Sequence, residues 1–169
     1  HSRGQRGQMS EDRSTHSGRA DDVVSSTRVL VVANLDRRER KIQMAPRAFI
    51  SFEMEDRWAR DFLVQQAKDK RNDIEFIDYS VQNPWDSSWK TQCRERIART
   101  KGTIVLIGAT TNASEAVRWE VAETIRQGHY IFGIQIESGK THVIPPGLPA
   151  ANVIRWDFEQ VTTWLATWT

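Results

Sequence analysis

A three-layer, flavodoxin-like α/β sandwich, with a central parallel five-stranded sheet and helices on both faces, is predicted by three features of the sequence. From Arg47 onward, short apolar runs alternate with segments of helical periodicity in five successive units. One run, Thr103–Gly108 (TIVLIG), is apolar on both faces, as a central parallel strand must be. The connections are short, so right-handed crossovers lay successive strands into one doubly wound sheet. The chain has 169 residues, 38% apolar and 27% charged. That is the size of one ordinary domain and too apolar for disorder throughout.

Each element has its own signal. Ala48–Phe52 (AFISF), bounded by Pro46 and the acids Glu53, Glu55 and Asp56, reads as the first strand. Asp56 caps a helix to about Lys68, with Trp58 and Phe62 four apart and Ala59, Leu63 and Ala67 beside them. Ile74–Tyr79 reads as the second strand, followed by an irregular loop, Ser80–Ser87, that contains Asn83-Pro84. Ser87 or Ser88 caps the next helix, where Trp89, Cys93 and Ile97 form one apolar line. The third strand, Thr103–Gly108, leads into a helix that runs to about Gln127 and is stopped by Gly128. Tyr130–Ile136 and Val153–Trp156 are the fourth and fifth strands, separated by the breakers Pro145, Pro146, Gly147 and Pro149. A last helix carries Phe158, Val161, Leu165 and Trp168 on one face.

The first 43 residues are different in kind. They hold nine Lys/Arg against six Asp/Glu, a net of +3, whereas residues 44–169 hold fifteen against sixteen, a net of −1. The basic sequence pI of 8.9 is therefore set by this leader. His1–Ser26 has almost nothing to bury and reads as a disordered leader or a non-native extension, while the run Arg28–Ala33 can add an edge strand. Met44 can be a natural start, and residues 44–169 are expected to form a single domain. Cys93 is the only cysteine, no apolar run approaches a membrane span, and the first stretch lacks a signal-peptide core. These features point to a reduced, cytoplasmic setting. No helix or loop carries a basic stripe with interleaved aromatics, so nucleic acid is not an expected partner.

In a sheet of this kind ligands bind at the carboxyl ends of the strands, which directs attention to Ser51–Asp56, Asp78–Ser88, Gly108–Ser114 and Glu137–Thr141. Gly133 to Thr141 approaches a phosphate-binding loop, but five residues rather than four separate its glycines, so Ser138-Gly139-Lys140 reads as a turn. The histidines His1, His16, His129 and His142 have no ligand spacing, and no metal is expected. Cys93, on the apolar line of its helix, reads as a buried thiol. A phospho-receiver needs an aspartate at the end of the third strand, where this chain has Gly108-Ala109-Thr110-Thr111. That reading is rejected.

The helix after the third strand carries the most information. Asn112 with Glu115 fits a capping box, and Ser114 is a second candidate cap. At about 100° per residue, Val117, Val121 and Ile125 mark the core-facing stripe. Glu120 falls about 60° to one side of Val117, on the margin of that stripe, and Glu123 falls about 120° away, well outside it. Glu120 is thus expected half-buried on the helix that opens from the ligand edge. Either its pKa is raised by desolvation or hydrogen bonds hold it ionised, or it is an ordinary surface glutamate paired with Arg118 or Arg126. Pattern alone leaves these open.

The fragments AFISFEMED, IEFIDYSVQNPWDSSWKTQCRERI and TIVLIGATTNASEAVRWEVAETI, in this order and spacing, resemble the Toll/interleukin-1 receptor (TIR) domain. More narrowly they resemble the TIR-like branch of the bacterial Thoeris anti-phage system. The resemblance covers residues 47 to about 137. Its most specific parts are Ser51-Phe52, Asp78-Tyr79-Ser80, the helix around Trp89, and Ser114 followed by Trp119-Glu120. It implies an enzyme that breaks the nicotinamide–ribose bond of NAD and makes a cyclic ADP-ribose-type signal in anti-phage defence. NAD is then a substrate, and no cofactor is implied.

The resemblance also assigns residues. Glu120 occupies the family's catalytic position, although a helix beginning at Asn112 would set it two turns in. Ser51, Phe52 and Glu53 would line one wall, Phe52 being alternatively plain core. Asp78, Tyr79 and Trp85 belong to the loop that in TIR domains gates the site and mediates assembly. Trp85 either stacks at a ligand or interface, or packs down as a lid. Asn112 and Ser114 complete the substrate-binding set. The implied partners are NAD, further copies of the chain through TIR surfaces, and an effector protein that responds to the product. Two other readings compete: a non-catalytic TIR-type interaction module, and a nucleoside deoxyribosyltransferase-like enzyme that would leave NAD untouched.

Overall fold

The computed structural model describes residues 46–78 and 87–168. The leader 1–43, the strand read at 28–33, Met44, and the loop residues Tyr79 and Trp85 lie outside the described residues. The strands are β1 (Arg47–Ser51), β2 (Glu75–Asp78), β3 (Gly102–Ile107), β4 (Tyr130–Gln135) and β5 (Val153–Arg155). The helices are α1 (Arg57–Asp69), α2 (Trp89–Ala98), α3 (Glu115–Arg126) and α4 (Phe158–Ala166). The sheet order is β2-β1-β3-β4-β5 and every pairing is parallel. This is the doubly wound order expected from alternating strands and helices, with the switch point between β1 and β3.

Strand parity decides what each face of the sheet holds, because successive side chains point to opposite sides. Ala48, Ile50, Ile104, Leu106, Phe132 and Ile134 pack on one face against Ala59 and Leu63 of α1 and Phe158, Val161 and Leu165 of α4. The intervening residues turn to the other face. There Val105 and Ile107 meet Val117 and Val121 of α3, and Phe49 meets Cys93 and Ile97 of α2. Ser51 shares the parity of Phe49, so its hydroxyl is delivered to the α2–α3 side. Thr103 does likewise, and its hydroxyl shares a 2.7 Å hydrogen bond with that of Thr124 on α3.

Several expectations change in detail. Asp56 stands at the start of α1, but its side chain makes no cap hydrogen bond and a short 3-10 turn, Met54–Asp56, precedes the helix. The buried stripe of α1 is Ala59, Leu63 and Ala67, whereas Trp58 (53% exposed) and Phe62 (49%) face outward. Two alanines let the helix lie close to the sheet, and Phe62 rests instead against Trp156, ring centroids 5.4 Å apart. The capping box at Asn112 does not form. Asn112 lies in a 3-10 turn, Thr111–Ala113, and Ser114 caps α3 by accepting from the Val117 N–H at 3.2 Å. Ser114→Ala should therefore lower the stability of the domain by about 1 kcal/mol, read as a fall in its urea midpoint.

The buried arc of α3 is also rotated from the expected stripe. Glu123, expected outside it, is only 5% exposed, and Ile125, expected within it, is 46% exposed. The cause is α2, which packs along the flank of α3 and turns the covered arc toward Glu120, Thr124 and Glu123. At the far end Gly128 stops the helix as the sequence predicts. Its φ of 71° lies in the left-handed region, the Gly128 N–H donates to the Ile125 carbonyl, and the His129 N–H donates to that of Thr124.

Candidate functional site

The carboxyl edge of the sheet is organised by contacts between the turns that leave β1 and β3. Asp56 lies directly over Gly108, where any Cβ would overlap its carboxylate. The Gly108 N–H donates to the Thr111 hydroxyl at 2.8 Å, and that hydroxyl also bonds to the Leu106 carbonyl at 3.2 Å. The Thr110 hydroxyl donates to Glu55. Burial, with Glu55 beside it, raises the Asp56 pKa. Glycine at 108 is required here by close approach, since the two turns could not otherwise meet.

Beside this edge, on the α2–α3 face, lies Glu120. Because α3 begins at Glu115 rather than Asn112, Glu120 is its sixth residue, about one and a half turns in. The reach to the strand ends is therefore shorter than the two turns expected. Glu120 is 4% exposed, so it is buried rather than half-buried. Neither Arg118 nor Arg126 pairs with it: Arg118 donates to the Asn112 carbonyl at 2.7 Å and Arg126 binds Glu123. Instead the Ser51 hydroxyl donates to Glu120 Oε2 and the Cys93 thiol donates to Oε1 at 3.6 Å.

The electrostatics of the two buried glutamates on α3 differ sharply. Glu123 is met by Arg126, whose hydrogen bonds are the largest effect, by the Gln127 amide and by Arg94, with Nε 3.3 Å from Oε1, and against its burial these partners hold its pKa down at about 2. Glu120 has two neutral donors. Burial is the dominant effect on it and pushes its pKa up to about 8; the Ser51 and Cys93 hydrogen bonds oppose the rise, and Glu53 and Asp78 add to it. A carboxyl kept titratable near neutral pH at the ligand edge of a wound sheet is the pattern that acid–base and electrostatic catalysis uses.

The remaining candidates divide between the faces. Ser51, at the end of β1, touches Glu120 directly. Phe52 has the opposite parity and packs against the core cluster under α1 and α4. Asp78 is paired through Arg60 Nε to α1, and its carbonyl accepts from Arg96 at 2.7 Å. Glu53 lies close enough to raise the Glu120 pKa, as does Asp78. Asn112 and Ser114 are occupied at the start of α3, one through its carbonyl and the other as the cap. Cys93 is a contact of Glu120 that the sequence reading missed. Its place between Trp89 and Ile97 on an apolar line indicated burial and nothing more. Among the described residues, no group of three or more His, Cys, Asp or Glu could hold a metal ion.

A parallel sheet of order β2-β1-β3-β4-β5, with helices on both faces, places the chain in the flavodoxin-like class of doubly wound α/β domains. The model of the family described as "Thoeris protein ThsB, TIR-like domain" matches residues 49–141, more than half of the chain, and the chain belongs to that family. Among solved structures, the chain is similar to the TIR domain of the Toll-related receptor TRR-2 from Hydra magnipapillata. That pair is 16% identical with a TM-score of 0.50, covering 70% of this chain and 90% of that one. It is also similar to a prokaryotic SEFIR domain, at 13% identity and a TM-score of 0.47, over 72% of this chain and 88% of that one. No curated protein matches the chain. No helix among the described residues is long and apolar enough to cross a membrane.

Proposed function

We propose that the chain is an NAD-processing TIR-like enzyme of anti-phage defence, with Glu120 as its catalytic carboxylate. The observation that carries this reading is the Glu120 carboxyl itself: buried at the ligand edge, held by Ser51 and Cys93, and paired with no cation among the described residues. Nicotinamide is a good leaving group and departs with the electron pair of the glycosidic bond. Positive charge then develops on the ribose C1′, where an ionised carboxylate stabilises it and orients the ribose hydroxyls. Attack by an adenine nitrogen of the same molecule would give a cyclic ADP-ribose isomer, provided water is excluded. Glu53 adds negative potential that favours the cationic nicotinamide end. In this reading the protein works in the cytoplasm as an assembly of copies, and its product acts on an effector protein.

The burial of Glu120 favours a second reading. A carboxyl with both oxygens occupied and 4% exposure also suits a TIR-type interaction module that signals by contact with other TIR domains. One experiment separates the two: nicotinamide release from NAD by wild type and by Glu120→Gln, with and without lysate from phage-infected cells. Release confined to wild type supports the enzyme; equal release by both ends that reading, and nucleoside cleavage with NAD left intact would indicate the deoxyribosyltransferase-like alternative. For the enzyme, kcat/KM should rise with pH along an acidic limb centred near 8, because the ionised form of Glu120 is the stabilising one. A flat profile from pH 6 to about 9 would remove Glu120 from that role.

A further inference from the structure

Two donors from different layers of the fold converge on Glu120. Ser51 comes from the end of β1 and holds Oε2, and Cys93 comes from the middle of α2 and holds Oε1. Both are fully buried, and Cys93 is fixed by Phe49 and Ile97 in the same small core cluster. A carboxyl gripped at both oxygens has no freedom to rotate about its terminal torsion. A third contact, from the Thr124 hydroxyl to the Glu120 carbonyl at 2.8 Å, fixes the backbone beneath it.

We propose that Cys93 is a positioning residue for Glu120, its thiol fixing the plane of the carboxyl through Oε1 while Ser51 fixes Oε2. This rests on the reading of Glu120 as the catalytic group. The thiol acts through Glu120 and does not touch the substrate. It remains S–H because burial, with the Glu120 charge facing it, pushes its own ionisation well above the ordinary thiol range, against the smaller opposing pull of Arg96. The charged groups around the pair are Glu53 beyond β1, Asp78 at the end of β2, Arg96 on α2 and Glu123 on α3. Glu123 shows what a purely structural carboxylate on this helix looks like: two arginines, and no capacity to titrate near neutral pH. A neutral thiol instead orients Glu120 while leaving it able to change charge.

The test is a carbon-13 NMR titration of the full chain labelled at the glutamate carboxyl carbon, with the Glu120 signal assigned by its absence from Glu120→Gln. Wild type, Cys93→Ala and Cys93→Ser are compared, each checked for a wild-type melting transition. Loss of the thiol donor should raise the Glu120 midpoint by about half to one pH unit, the effect of one neutral hydrogen bond to a carboxylate. Serine, a stronger donor of similar size, should return the midpoint to the wild-type value or below it. Midpoints unchanged in both variants overturn the proposal, as does a rise in Cys93→Ser equal to that in Cys93→Ala. If Cys93→Ala does not fold, Cys93→Ser decides alone: a midpoint at or below wild type supports the thiol's role and a higher one overturns it. The titration needs no turnover, so its failure is distinct from that of the enzyme reading, which falls if Glu120→Gln still releases nicotinamide.

Discussion

Glu120→Gln is expected to release nicotinamide from NAD about 100-fold or more slowly than wild type, and to unfold at a higher temperature than wild type above pH 8. The first effect follows from removing the charge that opposes the developing positive ribose, a loss of the size seen when one preorganised electrostatic partner is deleted. The second follows from linkage. Glu120 ionises near 4.5 when unfolded and near 8 when folded, so the folded state holds a proton that the unfolded state has released. Wild-type stability therefore falls as pH rises through that window, by about 1.4 kcal/mol per pH unit at the steepest, and levels off above it. Glutamine cannot ionise and fits the same space, so the variant lacks this slope. Its advantage should be absent near pH 4, grow toward pH 8 and reach a few kcal/mol. Thermal melts from pH 4 to 9, run beside the release assay, read both. A variant that loses release and also loses stability at every pH would show that Glu120 is a structural group. Gain of stability with loss of activity is the mark of a residue retained for chemistry.

The second large effect is expected at Phe132. It sits in the middle of β4, with its ring 5.4 Å from that of Trp164, nearly parallel, and 5.7 Å from that of Trp168, edge-on. Phe132→Ala removes the shared partner of both tryptophans and leaves a cavity that neither the strand nor α4 can collapse to fill. The loss should be about 3–5 kcal/mol, a large share of the stability of a domain this size, with a fall in unfolding temperature of about 10–20 °C. Phe132→Leu retains much of the volume and should lose far less. Because Phe132 is on the α1–α4 face, opposite Glu120, a Phe132→Leu protein that stays folded should keep the Glu120 titration midpoint of wild type. A loss under about 1 kcal/mol for Phe132→Ala would mean that the aromatic cluster is not part of the cooperative core.

How much of this was legible in the sequence varies with the physics of each feature. All five described strands were readable from apolar runs, because a parallel sheet covered on both faces leaves little room for polar residues. The end of α3 was readable because Gly128 alone supplies the left-handed turn there. The start of α3 was less so. Asn112 and Ser114 are both good caps, and the choice fell to Ser114 because a 3-10 turn, tied to Asp56 and Leu106 through Thr111, uses the intervening residues. Glu120 could be located on its helix from periodicity, but its depth could not. Helix periodicity marks the face toward the sheet and is blind to a neighbouring helix, so α2 moved Glu123 inside and left Ile125 outside.

The sequence by itself determined the sheet and its winding, the family, and the position of the one glutamate on which the chemistry is proposed to turn. The sheet and the helix position follow from local patterning, where each residue type favours one backbone state or one face, and the family follows from the resemblance carried by the three fragments. Only the tertiary structure decided what that glutamate meets. Strand parity sends Ser51 toward it and Phe52 and Asp78 away; the packing of α2 brings in Cys93; and of the two arginines expected beside it, Arg126 goes to Glu123 and Arg118 to the Asn112 carbonyl. Partners separated by 69 and 27 residues are set by how layers stack, and an ionisable group takes its character from those partners rather than from its neighbours in the chain.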